Sequence, residues 1–573
     1  MTSEGHNNND CLQRLLSLKA ASRLGEGDPS LFGLYPDIQA QAVSRLGWIH
    51  LASEPPMPLK EINDLAKNIV SEGLEAVVLI GQGGSSQASM TITKLHEVAN
   101  AGQQNVAFRT MDSLSPVFVN HILGSSDPAK TIYIVSSKSG STIEPLMLEK
   151  VVWAYVAGHL GSTRAARRFV AITEPASGLA ELAAERHYRL VLPCLEGVGG
   201  RFTALSVSAL FPAALVGIDI NEALAGAALT EVACTTDSPD NPAIQLACFL
   251  YTSYLQGRDK FSLVMPPSGQ VFGLWVEQMV AESLGKGSTG ILPNIEIDAS
   301  ILAEPRADRS VITYAVGEVE GFAESIANID DSIPQMHHTI NDPIQAFSRF
   351  VVWEYATVFL SILMGVFPFD QPDVELTKSI TKGLLAGAKE PTIKEYRQFP
   401  PLDSFVYGLS LSNVAATSLE EESDSPSLDC LLRSLLASLK PGDYFALNAF
   451  LPFRGYGRRE ALERMRNRIA SRLGVVSCLE IGPRYLHSTG QLHKGGPDNG
   501  VFLVLSSDER DDLAIPGEDL TLGALAAVQA RADFTALAKR GRRALHVHLA
   551  DNDSETLSRF ADRLCSAISA IRV

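Results

Sequence analysis

Cysteine is sparse and unpatterned: seven in 573 residues, odd in number and without a CxxC pair. Scattered thiols in so long a chain read as reduced and mostly buried, which points to a cytoplasmic protein. No Cys/His cluster has the spacing of zinc ligands. Long apolar runs are missing as well. The longest, residues 355–367, is too short for a bilayer and adjoins Glu354, so it reads as a buried helix. The opening MTSEGHNNND has neither a basic start nor an apolar stretch, so export is not expected. Positive charge is in deficit, with a net charge of −17, which argues against nucleic acid or a membrane as a partner. A small anionic metabolite stays open, because a ligand of that size answers to local donors.

Two nucleotide signatures are also incomplete. After AVVLI the turn GQGGSSQAS, residues 81–89, has Gly81 and Gly83 but Ser86 at the third glycine position of the dinucleotide fingerprint. The run GKGST at residues 285–289 lacks a Ser or Thr directly after its lysine, and Val280 stands where a first glycine belongs, which excludes a Walker-type ATPase. No short repeat, heptad run or low-complexity tail is present.

What remains is the composition of a protein with large cores, 46% hydrophobic and 20% charged, in a chain long enough for two α/β units or more. The first fifty residues, through Trp48, read as amphipathic helix. Short apolar runs then alternate with helical patterns: residues 76–80, 106–109, 131–135, 169–173 and 188–193 read as strands, with helices over 143–157 and 178–185. Near-continuous apolar strands alternating with helices imply a parallel, doubly wound sheet over about residues 50–215. A second series begins at Lys260 with FSLVMPP and SVITYAVGEV. It continues through YFALNAFLP, GVVSCLEIG, GVFLVLSS and RALHVHLA. Residues 409–429, rich in Ser, Glu and Asp, read as an exposed insertion. The architecture is therefore α/β, with two similar units.

Ligands of such sheets sit at the carboxyl ends of the strands, where loops enter helix N-termini. The turn after residues 76–80 offers glycines and free N–H groups, though it could be an ordinary tight turn. The loop after residues 131–135, SSKSGSTIEP, is more pointed, since five of its first seven residues carry a hydroxyl and Lys138 and Gly140 lie among them. Hydroxyls and N–H groups at a helix start can surround a phosphate. Ser141 or Thr142 could serve as an N-cap, but a cap accounts for one hydroxyl, not five.

The segment LWVEQMVAESLG, residues 274–285, has helical length and apolar residues nearly all round. At about 100° per residue Gln278 and Glu282 share a face. A carboxylate there is either a base tuned by burial or a structural partner of a nearby cation. Arg201, in GVGGRFTALS, follows two glycines at a strand-to-helix junction and suits a phosphate, an oxyanion or an ion pair. GPRYLHSTGQLHKGGP, residues 482–497, offers His487 and His493 as acid–base groups near neutrality. The adjacent His337 and His338 read as surface residues.

Together GQGGSS, SSKSGST, VGGRFTALS, EQMVAESLGKG and FDQPDVELTK (residues 369–378) resemble the glucose-6-phosphate isomerase family over about residues 75–550, most closely the isomerase half of transaldolase–isomerase fusions. The resemblance implies two doubly wound SIS-type αβα sandwich domains with mostly parallel sheets. Its boundaries would be a helical segment over 1–50, a first sugar-phosphate domain over 51–225, and a second SIS-type domain with a C-terminal extension over 226–573. It implies aldose–ketose isomerisation of glucose 6-phosphate and fructose 6-phosphate through a cis-enediolate, with no metal or organic cofactor, in a homodimer. By position, Gly84 and Ser85 would touch the sugar phosphate, and Ser137, Lys138, Ser139 and Thr142 would form the main cradle. Arg201 would sit at the reacting carbons, with Gln278 beside the base Glu282. Gln371 and the ring-opening Lys378 match the late glutamine and lysine. The chain departs from the family in two places. The histidine loop follows the FDQ run instead of preceding it, with His493 favoured over His487, and Gly140 replaces an aromatic residue common in the cradle.

Overall fold

The computed structural model describes residues 8–100, 102, 105–296, 298–317, 319, 321–388, 393–396, 406–412, 427–452 and 458–571. Two compact units divide it: Met1–Asp112 with Ile122–Asp370, and Ser113–His121 with Gln371–Val573.

In the first unit, β1 (Ala76–Ile80), β2 (Ala107–Met111), β3 (Thr131–Ser136), β4 (Phe169–Thr173) and β5 (Leu190–Pro193) pair in the order β2-β1-β3-β4-β5. Every pairing is parallel. β1 and β4 are buried at every position, as strands covered on both faces must be, which is why they read as unbroken apolar runs. A second parallel sheet has the order β7-β6-β8-β9, built from β6 (Lys260–Val264), β7 (Leu292–Glu296), β8 (Arg309–Val316) and β9 (Gln335–Ile340). Both sheets thus share the doubly wound plan in which the second strand lies on one side of the first and the third on the other.

One continuous apolar core joins these sheets to the N-terminal helices, from Cys11 and Leu15 through Trp48 to Phe369. The expected division at residue 50 therefore does not separate a helical segment, because those helices supply core. The expected division at 225/226 falls within the helix Ile220–Cys234. The second strand series also splits. Its first two members lie in the second parallel sheet, whereas the other four form a third sheet in the second unit.

That third sheet has the order β10-β11-β15-β14-β12-β13, from β10 (Ile393–Tyr396), β11 (Val406–Ser412), β12 (Tyr444–Phe450), β13 (Val476–Ile481), β14 (Gly500–Ser507) and β15 (Arg543–Leu549). β12 to β15 run parallel, and β11 and β10 add on antiparallel. One face packs Phe445, Leu447, Leu503, Leu505, Leu545 and Val547 into a wholly apolar core. The alternate positions include the buried Asn448, Glu480, Ser506 and His546. Of the expected insertion at 409–429, residues 413–426 lie outside the described residues. Residues 409–412 close β11, and 428–429 open the helix Leu428–Ala437.

Residues 355–364 of the apolar run belong to the helix Gln345–Met364, the one described helix long and apolar enough to cross a membrane, and 78% of its apolar window is buried inside the protein. It is a core helix of the first unit. His337 and His338 lie on β9. His337 bonds Thr313 Oγ1 at 2.8 Å, while His338 is half-buried beside the Tyr314 ring, so only the first fits a surface reading.

Candidate active site

β1 and β3 are adjacent, and the chain leaves them toward opposite sides of the sheet, which makes the gap between their carboxyl ends the switch point where ligands bind. The two loops singled out in the sequence flank that gap. After β1, Gly83 turns at φ 53° and the chain enters the helix Gln87–Ala99. Gly84 is buried and Ser85 half-buried. After β3, the loop runs through Ser137–Thr142 into the helix Ile143–Leu160.

In this second loop Ser137 Oγ donates to Thr142 Oγ1 at 3.3 Å, and the hydroxyls of Ser139 and Ser141 lie 3.0 Å apart. Thr142 occupies the N-cap position yet makes no side-chain cap bond. The capping alternative therefore fails for it, and the hydroxyl is turned to its neighbours instead. Lys138 Nζ is 3.4 Å from Glu174 Oε1, in a partly exposed pair. Lys138 O accepts from the backbone Glu174 N (3.0 Å) and from the Thr173 side-chain Oγ1 (3.3 Å), which hold the loop's shape. A rigid set of hydroxyls beside one cation at a helix start can take a phosphate dianion.

Arg201 lies in the turn Gly200–Phe202 and is 3% exposed. This turn is stitched to the Gly84 loop by Thr203 Oγ1, which donates to Gly84 O (2.9 Å) and Gly200 O (2.7 Å). From outside, Trp48 packs on Phe202 at 5.0 Å between ring centroids, and Gly47 N donates to Gly197 O. Arg201 Nε donates to Ser283 Oγ at 2.8 Å, and Nη2 donates to Pro368 O and to Asp370 O. Nη1 meets Glu282 Oε1 at 3.2 Å.

Glu282 stands on the helix Gln270–Leu284, buried nearly all round as its sequence requires. Its other carboxylate oxygen, Oε2, accepts from Gln278 Nε2 at 3.0 Å, so the i, i+4 spacing does place the two together. Both readings of Glu282 meet here, since its structural cation is Arg201 itself. Burial pulls the Arg201 guanidinium below its ordinary pKa, opposed by Glu282 and Asp370. The site thus brings Arg201, Gln278 and Glu282 into one bonded cluster, with Gly84 sewn to its edge.

Three members carry no clear signal of their role in the sequence. Ser283 reads as an ordinary helix residue. Lys286 and Asp370 form an ion pair at 2.7 Å beside Arg201. Burial, and then Arg201, pushes the Lys286 ammonium down to about 8. The only hint of Lys286 lies in the GKGST run, whose spacing excludes a nucleotide loop without suggesting another use for the lysine.

Gln371, Lys378, His487 and His493 belong to the second unit. Gln371 precedes the helix Pro372–Leu385, on which Lys378 is exposed and pairs with Glu375 at 2.8 Å. His493 is 1% exposed, and its ring is walled in by Tyr444, Tyr485 and Phe502 at 5.1–6.1 Å, all within its own unit. Neither ring nitrogen has a hydrogen-bond partner, and Glu480 Oε1 stands 4.0 Å from Nε2. Burial, with Lys494 and Arg542, holds this imidazole far below its ordinary pKa. A ring enclosed on these sides has no opening to a substrate, an obstacle to His493 that His487 does not share. His487 keeps a partly exposed position.

Residues 65–300 match the family model described as phosphoglucose isomerase. A glucose-6-phosphate isomerase of Parabacteroides distasonis is 28% identical, across 59% of this chain and 87% of that protein. One from Leptospira interrogans is 24% identical, across 61% and 88%. Among solved structures, a hypothetical protein of Thermus thermophilus aligns with TM-score 0.54 at 23% identity, covering 66% of this chain and 97% of its own. A glucose-6-phosphate isomerase of Chlamydia trachomatis aligns with TM-score 0.54 at 17% identity, covering 68% and 88%.

Proposed function

Because residues 65–300 match the phosphoglucose isomerase model and glucose-6-phosphate isomerases align over most of their own length, we propose that the chain is a member of that family and interconverts glucose 6-phosphate and fructose 6-phosphate at the Arg201–Gln278–Glu282 cluster. The observation that carries this reading is Glu282, buried and held at both oxygens, by a cation on one side and an amide on the other. A carboxylate so fixed beside Arg201 can lift the proton from C2 of the open sugar and return it at C1. The electron pair left behind moves onto the carbonyl oxygen as a cis-enediolate. Arg201 is the charge that stabilises that oxygen as it forms, and a preorganised cation costs no reorganisation at that moment.

Ser137, Lys138, Ser139 and Thr142 would hold the phosphate, with Gly84 and Ser85 at its side. Gln371 is the further substrate contact and Lys378 the ring-opening group, roles that rest on the resemblance. For the histidine, His487 takes the place first given to His493. We also read the enzyme as cytoplasmic, from seven unpaired thiols, and as a homodimer, from the family alone.

A non-catalytic sugar-phosphate sensor would keep the cradle but would have no use for a buried, two-sided carboxylate. A coupled assay on fructose 6-phosphate, with mannose 6-phosphate beside it, tests substrate and activity together. Glu282→Gln keeps the shape of the side chain and removes the base. Turnover is expected to fall by about 10²–10⁴-fold while phosphate protection against heat is retained. Near-normal turnover in that variant would sink the assignment.

A further inference from the structure

Lys286 lies just beyond the helix that carries Glu282, and its ammonium spends three contacts on one short stretch of chain. Nζ stands 2.6 Å from Phe367 O, 2.6 Å from Asp370 O and 2.7 Å from Asp370 Oδ1. Arg201 grips the same stretch, its Nη2 donating to the carbonyls of Pro368 and Asp370. Two buried cations therefore tie down residues 367–370 from two directions and share the Asp370 carbonyl.

An ordinary loop tether would end there. What sets this one apart is the geometry of the guanidinium, a rigid planar fork. Its Nη2 edge is fixed by the strap at 367–370 and its Nε by Ser283 at 2.8 Å. With those edges fixed, Nη1 is left facing Glu282 at 3.2 Å. Anything that holds the strap therefore aims the guanidinium. We propose that Lys286 is a positioning residue for the isomerisation: by pinning residues 367–370 it keeps Arg201 aligned with Glu282 and with the oxygen on which charge develops. This inference rests on the isomerase reading of the same site.

The charge balance fits the role. Arg201 and Lys286 face Glu282 and Asp370, two cations against two carboxylates in one buried group. Burial, then Arg201, pulls the Lys286 ammonium down to about 8, with Asp370 and Glu282 opposing. Above that pH a neutral amine loses its ion pair with Asp370, the strap loosens, and Arg201 loses its alignment. The expected signature is a fall in kcat on the alkaline side with little change in KM, because the Lys286 ammonium is committed to residues 367 and 370.

The test compares the full-length protein with Lys286→Met and Lys286→Arg, assayed on fructose 6-phosphate from pH 6 to pH 10. Lys286→Met is expected to lower kcat by on the order of 10²-fold, as a misplacement of about 1 Å does, with KM within about threefold. Lys286→Arg, which stays charged throughout, is expected to recover most of kcat and to carry the alkaline fall upward by at least one pH unit. Wild-type kcat with an unchanged alkaline limb in Lys286→Met overturns the inference. Should Lys286→Met fail to fold, Lys286→Arg decides alone: an alkaline limb that stays at the wild-type pH overturns the role, and one that moves up supports it. Absence of turnover in the wild-type protein would instead overturn the isomerase reading itself, before any variant is compared.

Discussion

A Cβ built on Gly84 would stand 1.8 Å from the carbonyl oxygen of Gly200 and 2.8 Å from Arg201 N. Two backbones therefore touch where the phosphate side of the site meets the arginine side, and only glycine at 84 allows it. Gly200 has nothing within 4 Å of the same construction. Gly84→Ala is accordingly expected to lose at least about 10²-fold in kcat/KM and to be destabilised by about 1–3 kcal/mol, whereas Gly200→Ala stays close to wild type in both. Steady-state kinetics and thermal midpoints on the pair check this. The sequence shows two similar glycine pairs and cannot rank them, because the clash lies between segments more than a hundred residues apart. Gly140 teaches the same lesson. It sits at φ +61° with a built Cβ 2.5 Å from Ser177 Cβ, so the aromatic side chain common in the family has no room here. The departure is visible in the sequence, but its cause, Ser177, is not. Glu282 is legible as buried and helical from its neighbours, and as a base only through the run EQMVAES.

At the scale of elements, what can be read depends on burial. Strands covered on both faces announce themselves, and β1 and β4 are legible to the residue. β7 and β9 are not. LPNIE is nearly all buried but carries Asn294 and Glu296 inside, where Glu296 Oε1 accepts from Ser262 Oγ and Asn294 Nδ2, and QMHHTI is a largely part-exposed edge strand, so neither reads as an apolar run. The helix Gln345–Met364 is only half legible, because its apolar run begins after Glu354. That residue is fully buried, with Oε1 unpartnered, and burial raises its carboxyl pKa well above the ordinary range. The folded chain thus holds a proton that the unfolded chain releases from about pH 4 upward. Stability from this group is present at low pH and lost as pH climbs toward the folded pKa, by up to about 1.4 kcal/mol per unit. Glu354→Gln, permanently neutral, is expected to raise the thermal midpoint at pH 8 by several degrees and to change it little at pH 4.

For the whole molecule, local periodicity locates strands without saying which sheet each joins. That is decided by pairing order, and it is why the series beginning at Lys260 looks continuous in sequence when it belongs to two sheets in two units. Each unit has its own apolar core, one built on both parallel sheets and the N-terminal helices, the other on the third sheet. Denaturant unfolding is therefore expected to depart from a single two-state transition. The second unit buries its own titrating acid, Glu480, which burial pushes up to about 7. By the same sign, Glu480→Gln stabilises above about pH 5, and it should move a different transition from the one moved by Glu354→Gln. Urea melts of the two variants at pH 5 and pH 8, followed by tryptophan fluorescence and circular dichroism, read this out. A single transition shifted equally by both would contradict it.

The two faces of the third sheet differ in a way that bears on how the chain finds its pairing. Leu447, Leu503 and Leu545 point into one layer, while Asn448, Glu480, Ser506 and His546 occupy the alternate positions. Side chains alternate along a strand, so a slip of one residue would drive the amide of β12, the carboxylate of β13, the hydroxyl of β14 or the imidazole of β15 among leucines. The polar face thus acts as a proofreader of strand register, making mispaired sheets costly before any ligand is met.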